Sequence, residues 1–600
     1  MIVGMRKLTL LCRAADRDAV LFGLRGLGLV HVEQLRQPVG DGLDEAKQRL
    51  TYLRTALDAL PDVLPEGVQA RVSEDPIEEV IEHVWRLVHE ADDLRDELAG
   101  LVQEEKRIAP LGDFDPQVVA ELAAKGIHVR CFHTPLRRGL PRIEDFITLE
   151  LSRDRDRIHF ALVGRTEPSE DTLGQATEVR LPKQSLSAVR FRIAWVRDAL
   201  ERNALRLAER SGDKPRLADV VHSAFEKVRY LEIRQGMDLA DAGQELAVLT
   251  GWFPARNEAQ IRAAAEAFSF GLLVSEPGPH DEPPTLIENP RWVRPIHTVM
   301  DMIGVLPGYR ETDFSPIFLL FLSLFFAMLV GDAGYGLLFT GLLLAARKLP
   351  LKVPQGLFPL LWVMSLCTIA WGALTGTWFG IARLPGPLAD LRVDWLTSEG
   401  AEQNIMLLCF FIGATHLTIA HLWNVIRFFP DPRFLAQIGW ICTTWVMFYA
   451  ARAFVLLHDF PSPLLYVLAV GAALIVLFMT PVKRLKEDWI GHVMFPLNLI
   501  GNFVDVVSYV RLFAVGAATL AVASAFNAMA AETAQGLFTG LAAALILFLG
   551  HTLNILLAMM GVLVHGVRLN TLEFATHLGL QWKGRKYSPF RRREMDEDEA

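Results

Sequence analysis

The sequence predicts an α-helical polytopic membrane domain of eight transmembrane helices, the last two long and tilted. A soluble half precedes it, in which two small α/β lobes are joined by an antiparallel coiled-coil rod. Three observations carry this expectation. From Ser315 onward the chain is dominated by long apolar runs such as Phe321–Val330, whereas the first 310 residues are charged and amphipathic. Two stretches of the first half repeat apolar residues at steps of three and four without a break. Short strand-like runs lie on either side of those stretches.

The elements follow in order. Residues 6–33 read as strand, helix, strand, from KLTLLCRA to GLVHVEQL. Ile77, Val80, Val84, Leu87, Ala91, Leu94, Leu98 and Leu101 then form one heptad seam, with Glu90, Asp92, Arg95 and Asp96 off it. Leu186, Val189, Ile193, Val196, Leu200, Asn203 and Leu207 form a second, and a third helix covers about Leu217–Ile233. An apolar stripe is buried only against a partner, so antiparallel pairing within the chain is the economical solution. Between the arms lie the strand-like runs GIHVRCF, DFITLELSR and RIHFALVG, and a final strand–helix–strand unit runs from ELAVLTGWF to FGLLVSE.

Apolar windows then fall near 315–330, 334–346, 357–380, 405–426, 434–457, 463–480, 493–530 and 536–567. A hydrocarbon core of about 30 Å asks for roughly 20 apolar residues per helix. The first two windows are short and joined by Gly331-Asp-Ala-Gly-Tyr-Gly336, which implies one tight hairpin or close packing through the glycines. The last two exceed a perpendicular span and must tilt, kink or leave the lipid. Basic residues cluster in alternate loops: Arg347, Lys348 and Lys352, then Arg427 and Arg433, then Lys483, Arg484 and Lys486, then the tail KGRKYSPFRRRE. That bias places both termini in the cytoplasm. The expected division is 1–310 cytoplasmic, 311–582 transmembrane and 583–600 a charged cytoplasmic tail.

Composition excludes several functions. The net charge of −9 gives no reason to expect nucleic acid as a partner. Five single cysteines without a CxxC pair imply neither a zinc site nor a disulfide framework. No cofactor is expected, since there is no HExxH and no glycine-rich phosphate loop after a strand. Gly579-LQWK-Gly584 imitates such a loop but lacks the GK[ST] ending and follows a membrane helix. The N-terminal segment is too charged to be a signal peptide.

The chemistry is carried by two arginines in apolar surroundings, Arg511 and Arg568. A guanidinium keeps its proton, and holding it at membrane depth costs between about 3 and more than 10 kcal/mol. Such a charge must meet water or a partner. Snorkelling to the headgroups is the bland alternative, weaker for Arg511 than for Arg568. On the last helix His551, Asn554, Ala558, Gly561, His565 and Arg568 make one polar and small-residue stripe. On the helix before it Asn498, Asn502 and Asp505 make a polar line about a third of a turn from Arg511, with Ser508 close by. His565, His551, Asn554, Asp505, Asn502 and Ser508 are therefore candidates for an ion path. Taken singly, His551, Asn554 and Asp505 serve equally well as interhelical hydrogen-bonding groups.

The chain resembles the a/I subunit family of V-type ATPases over nearly its whole length. The matching segments are GWFP (251–254), PPTLIENP (283–290), GDAGYG (331–336), SYVRLFAVG around Arg511 and VHGVRLNTLEF around Arg568. The resemblance implies a stator subunit of a bacterial or archaeal rotary ATPase in the plasma membrane, with Arg511 and Arg568 facing a rotor ring of proteolipid subunits and His565 in support. It implies peripheral-stalk heterodimers held by the soluble lobes, a central-stalk or collar subunit nearby, lipid around the membrane half, and translocation of protons or sodium without an ATP site of its own. Where some members carry an acid in the last helix this chain has Ala558. A secondary transporter with a regulatory coiled-coil domain is the rival, yet no inverted repeat is visible. A membrane-anchored scaffold would leave both arginines unexplained.

Overall fold

The computed structural model describes residues 1–34, 36–65, 67–141, 143, 145–166, 176–239, 246–348, 356–381, 385–481, 489–534 and 536–592. Lys352, Lys483, Arg484 and Lys486 of the loop-charge argument lie outside the described residues, as does the end of the tail. The chain divides into one unit made of residues 1–33 and 239–591, and another centred on residues 34–238.

The first unit begins with a sheet of strands His31–Glu33, Leu246–Pro254, Met5–Arg13 and Gly271–Ser275, in that spatial order and antiparallel throughout. Helices Arg17–Leu27 and Glu258–Ala267 connect the strands of each pair. This is a split β-α-β-β-α-β arrangement, with the whole second unit inserted between its halves. The expected N-terminal and 245–276 strand units thus share one sheet. Alternation drives it: Met5, Leu8, Leu10 and Cys12 are buried on one face, and helix Arg17–Leu27 covers them with Val20, Leu21 and Leu24. Gly251 sits where a Cβ would come within 2.6 Å of the His31 carbonyl oxygen, so only glycine fits. The imitation phosphate loop has a packing explanation too. Gly579 caps a helix at φ 81°, and a Cβ on Gly584 would meet the Pro307 carbonyl at 2.3 Å.

The apolar half of this unit is helical. Among the described residues five helices are long and apolar enough to cross a membrane: Leu357–Thr375, Ala401–Phe428, Arg433–Leu456, Trp489–Thr533 and Phe538–Leu578. A sixth span arises if Ser315–Val330 and Ala333–Ala346 count as one, since they are bent by 117° at their junction. Leu464–Phe478 is a shorter apolar helix. Helix Ser315–Val330 is apolar on all sides and is the core, burying Phe318, Phe321, Leu322, Phe325 and Phe326. Its bend begins at Gly331 (φ 72°) and is fixed by Asp332, whose carboxylate accepts from the Gly334, Tyr335, Phe379 and Gly380 amides. The glycines there serve close packing: a Cβ on Gly372 would lie 2.1 Å from the Ala333 nitrogen. The two long final spans run 45 and 41 residues.

In the second unit, helix Ile77–Ile108 lies antiparallel to Leu186–Glu209. Arg192 meets Glu97 at 2.6 Å and the Asn203 side chain reaches the Leu87 carbonyl at 3.1 Å. Helix Asp41–Asp58, not anticipated above, pairs with Lys214–Gly236 through Leu43, Leu50, Leu53, Leu217 and Val221. A second antiparallel sheet follows the order Ile147–Arg153, Arg157–Gly164, His128–Pro135, Thr177–Val179.

Candidate functional site

Arg511 stands at the start of helix Val510–Thr533, just past a break at Tyr509 that separates it from helix Trp489–Ser508. Tyr509 is fully buried, and its hydroxyl pairs with Nδ1 of His416 at 2.8 Å. His416 in turn lies between the rings of Phe321 and Phe574, with centroids 3.8 and 4.3 Å away. The tyrosine two residues before the arginine is therefore held by a histidine that is itself stacked between two rings.

Arg568 lies between two widened turns of the last helix, Val562–Gly566 and Leu569–Phe574, in which the backbone bonds run from residue i to i+5. Such turns accumulate at functional positions. Here the widening brings Glu573, five residues on, back to the face of Arg568. Arg568 Nε lies 3.6 Å from Glu573 Oε1, and Arg511 Nη1 donates to that same oxygen at 3.2 Å. Glu573 is only 5% exposed, Arg511 27% and Arg568 52%. The two predicted arginines thus converge on one buried carboxylate, whose Oε2 has no partner among the described residues. The trio carries a net charge of +1, open on the arginine side. Glu573 escaped the sequence reading because five residues along a regular α-helix point well away from the starting face.

The remaining candidates separate into four places. His551 and Asn554 join a buried cluster in which the Tyr335 hydroxyl meets His551 Nδ1 at 2.7 Å and accepts from Asn554 Nδ2 at 2.9 Å. His551 Nε2 continues to Asn527 Oδ1 at 3.2 Å. Asn502 is buried against the hydroxyls of Thr443 and Thr444, 3.3 and 3.2 Å from its amide nitrogen. Ser508 bonds back to the Asp505 carbonyl at 2.7 Å. Asp505 Oδ2 meets His577 Nε2 at 3.0 Å. His565 is half-buried one turn before Arg568. The sequence reading did not name Tyr335, Asn527 or His577. Tyr335 was quoted only as part of a glycine-rich link, and a lone tyrosine or histidine carries no spacing signal of its own.

A cleft of about 860 Å³ opens beside Arg511. Its lining includes Leu512, Phe513, Glu402, Thr375, Ser524 and Asn527. Among the described residues no group of three or more metal-ligating side chains converges.

No family model matches the chain. Curated relatives do. V-type ATP synthase subunit I 1 of Treponema pallidum is 31% identical over 629 residues, covering 99% of this chain and 100% of that protein. V-type ATP synthase subunit I of Borreliella burgdorferi is 29% identical, covering 99% and 100%. A-type ATP synthase subunit I of Methanocaldococcus jannaschii is 26% identical over 57% of this chain and 54% of that protein. Among solved structures, the cytoplasmic N-terminal domain of subunit I, homolog of subunit a, of V-ATPase matches at 18% identity. It covers 45% of this chain and 99% of that one, with a TM-score of 0.21.

Proposed function

The chain belongs to the subunit I family of V-type ATP synthases and is a multi-pass membrane stator subunit of a rotary ATPase, and from that premise we propose that Arg511 and Arg568 are its rotor-facing charges. The observation that carries this is their convergence on the single buried oxygen of Glu573. Two guanidiniums held by one carboxylate leave a permanent positive site, half open, at the break between two long apolar helices.

Each rotor subunit brings a carboxylate that must be neutral in lipid. A fixed positive charge favours its ionised form by direct attraction. Arrival opposite Arg511 therefore releases the ion on one side, and passage beyond it allows reloading from the other. The same charge blocks direct leakage. The cleft lined by Leu512, Glu402 and Asn527 supports a half-channel on the side opposite the termini, with Asn527 bonded in turn to His551 and Asn554 joined to His551 through Tyr335. Asp505 and Ser508 lie on the other side of Arg511 and support the inner path, with His565 beside it and Asn502 in the packing behind. In this reading ATP hydrolysis belongs to other subunits of the complex.

The reading extends to architecture. Eight spans follow if the bent pair counts as two and Leu464–Phe478 as one; an even number puts both termini on one side, and the basic loops support the cytoplasmic side of a plasma membrane. Residues 1–310 then form the cytoplasmic domain, 311–582 the ion-translocating domain and 583–600 the tail. The antiparallel helices of the second unit form the rod, and the two sheets hold peripheral-stalk heterodimers and the central-stalk collar. The partner in the membrane is a ring of proteolipids. A secondary transporter is not favoured.

The test is ATP-driven ion uptake by membrane vesicles carrying the assembled complex. Arg511→Ala should abolish uptake while assembly persists, and Arg511→Lys should not fully restore it because the planar fork is lost. Normal pumping by Arg511→Ala would falsify the assignment.

A further inference from the structure

Four helices meet at a buried line of side chains near Asp505. Gln437 Oε1 lies 2.8 Å from His421 Nδ1, His421 Nε2 lies 2.8 Å from His577 Nδ1, and His577 Nε2 lies 3.0 Å from Asp505 Oδ2. His421 is 3% exposed, and the His577 side chain is 8% exposed. The Asn424 amide donates to the His577 carbonyl at 3.0 Å and holds that helix end in place. Every link joins a different pair of elements, so the line exists only in the folded chain.

Donor and acceptor rules fix what such a line can hold. With the amide oxygen of Gln437 toward His421, Nδ1 must carry a hydrogen. If His421 is neutral its Nε2 is a lone pair, so His577 Nδ1 donates to it. His577 Nε2 then faces a carboxylate oxygen at 3.0 Å, and without a hydrogen between them two lone pairs would oppose. One extra proton therefore resides on the line, carried by His421, His577 or Asp505. If Gln437 turns its amide, the NH₂ group donates to His421 Nδ1 and each imidazole donates from Nε2, ending on ionised Asp505. That arrangement is also complete and holds one proton fewer. The line thus has two closed hydrogen-bonding states that differ by a single proton.

We infer that His421, His577 and Asp505 form a one-proton loading site of the stator, so that the ion this chain handles is the proton and not sodium. The inference rests on the stator reading above. A hard metal cation asks for about six oxygen ligands. This line offers one carboxylate and ring nitrogens already bonded to one another. Loading takes a proton from water on the side of Arg433 and turns the line from its net −1 state, with Asp505 ionised, to its net-neutral state. Unloading passes that proton to the ionised rotor carboxylate, which leaves as neutral carboxyl, and the line returns to its net −1 state. The charged and titratable groups around it are His416 from Ala401–Phe428, Tyr509 at the helix break, Arg511 beyond it and Glu573 one turn before His577. Arg511 limits how far the proton can travel.

The experiment uses the intact complex in sealed vesicles, with proton uptake and radioactive sodium uptake followed separately after ATP addition. Proton uptake should proceed in sodium-free buffer. His577→Gln and Asp505→Asn should each lower it by about a hundredfold or more, the low end for loss of a proton-transfer group. Added imidazole should restore part of it in His577→Ala, which a purely structural role would not allow. Sodium uptake that persists in the presence of a protonophore, or wild-type proton pumping by His577→Gln, overturns the inference. If the variants do not assemble, the sodium-free experiment on the wild-type complex still decides. Arg511→Ala separates the two levels. If it stops uptake while the His577 variants pump normally, the stator reading stands and the loading site falls.

Discussion

Glu573 shows where a one-letter string stops being informative. Arg511 and Arg568 were legible because an arginine in an apolar run is costly at any depth. Their shared counter-charge was not, because it depends on two widened turns that no residue type announces. The same turns mean that the stripe from His551 to Arg568 is not one straight line, although its spacing reads as one. At this scale Glu573→Gln raises the charge of the cluster from +1 to +2 and tightens the hold on each passing rotor carboxylate. Uptake rate should fall by about an order of magnitude with the complex intact, equivalent to about 1.4 kcal/mol on the slow step. Rates equal to wild type would show that the rotor carboxylate does not sense this charge.

Among elements, the heptad seams at 77–101 and 186–207 were legible since their apolar period survives any choice of partner. Helix Asp41–Asp58 repeats the same signal in Leu43, Ala46, Leu50 and Leu53 over a shorter stretch. Its register against Lys214–Gly236 could not be read at all, as either seam could have met either partner. Leu53, 1% exposed, should cost about 2–5 kcal/mol when cut to alanine. Faster amide exchange confined to the 41–58 and 214–236 helices of the full chain would confirm it. The sheet of this unit carries its own pH signature. Burial holds both His133 and His159 below the ordinary histidine value, with the Arg157 charge adding to it. The unfolded chain then binds more protons, so the sheet loses stability as pH falls below about 6.5 and stops losing it once the folded rings titrate. Exchange rates in strand Arg157–Gly164 should rise over that window, and His159→Gln should flatten the rise.

For the whole molecule, alternation and helix periodicity placed the elements but not their partnership across long separations. Strands 5–13 and 246–254 are neighbours in one sheet although more than 230 residues separate them. Nothing local records that pairing; it follows from which apolar faces remain to be covered once the inserted unit has closed on itself. The arrangement also sets a clock on synthesis. Strand Met5–Arg13 lies between two strands, Leu246–Pro254 and Gly271–Ser275, and neither exists until about 230 further residues have been made. At roughly 5–20 residues per second that is on the order of 10–50 s on the ribosome. For that interval Leu8 and Leu10 belong to a strand with both edges open. The nascent chain must be shielded through it, and a slow or stalled ribosome within the insertion should be paid for in aggregated protein rather than in a misplaced membrane helix.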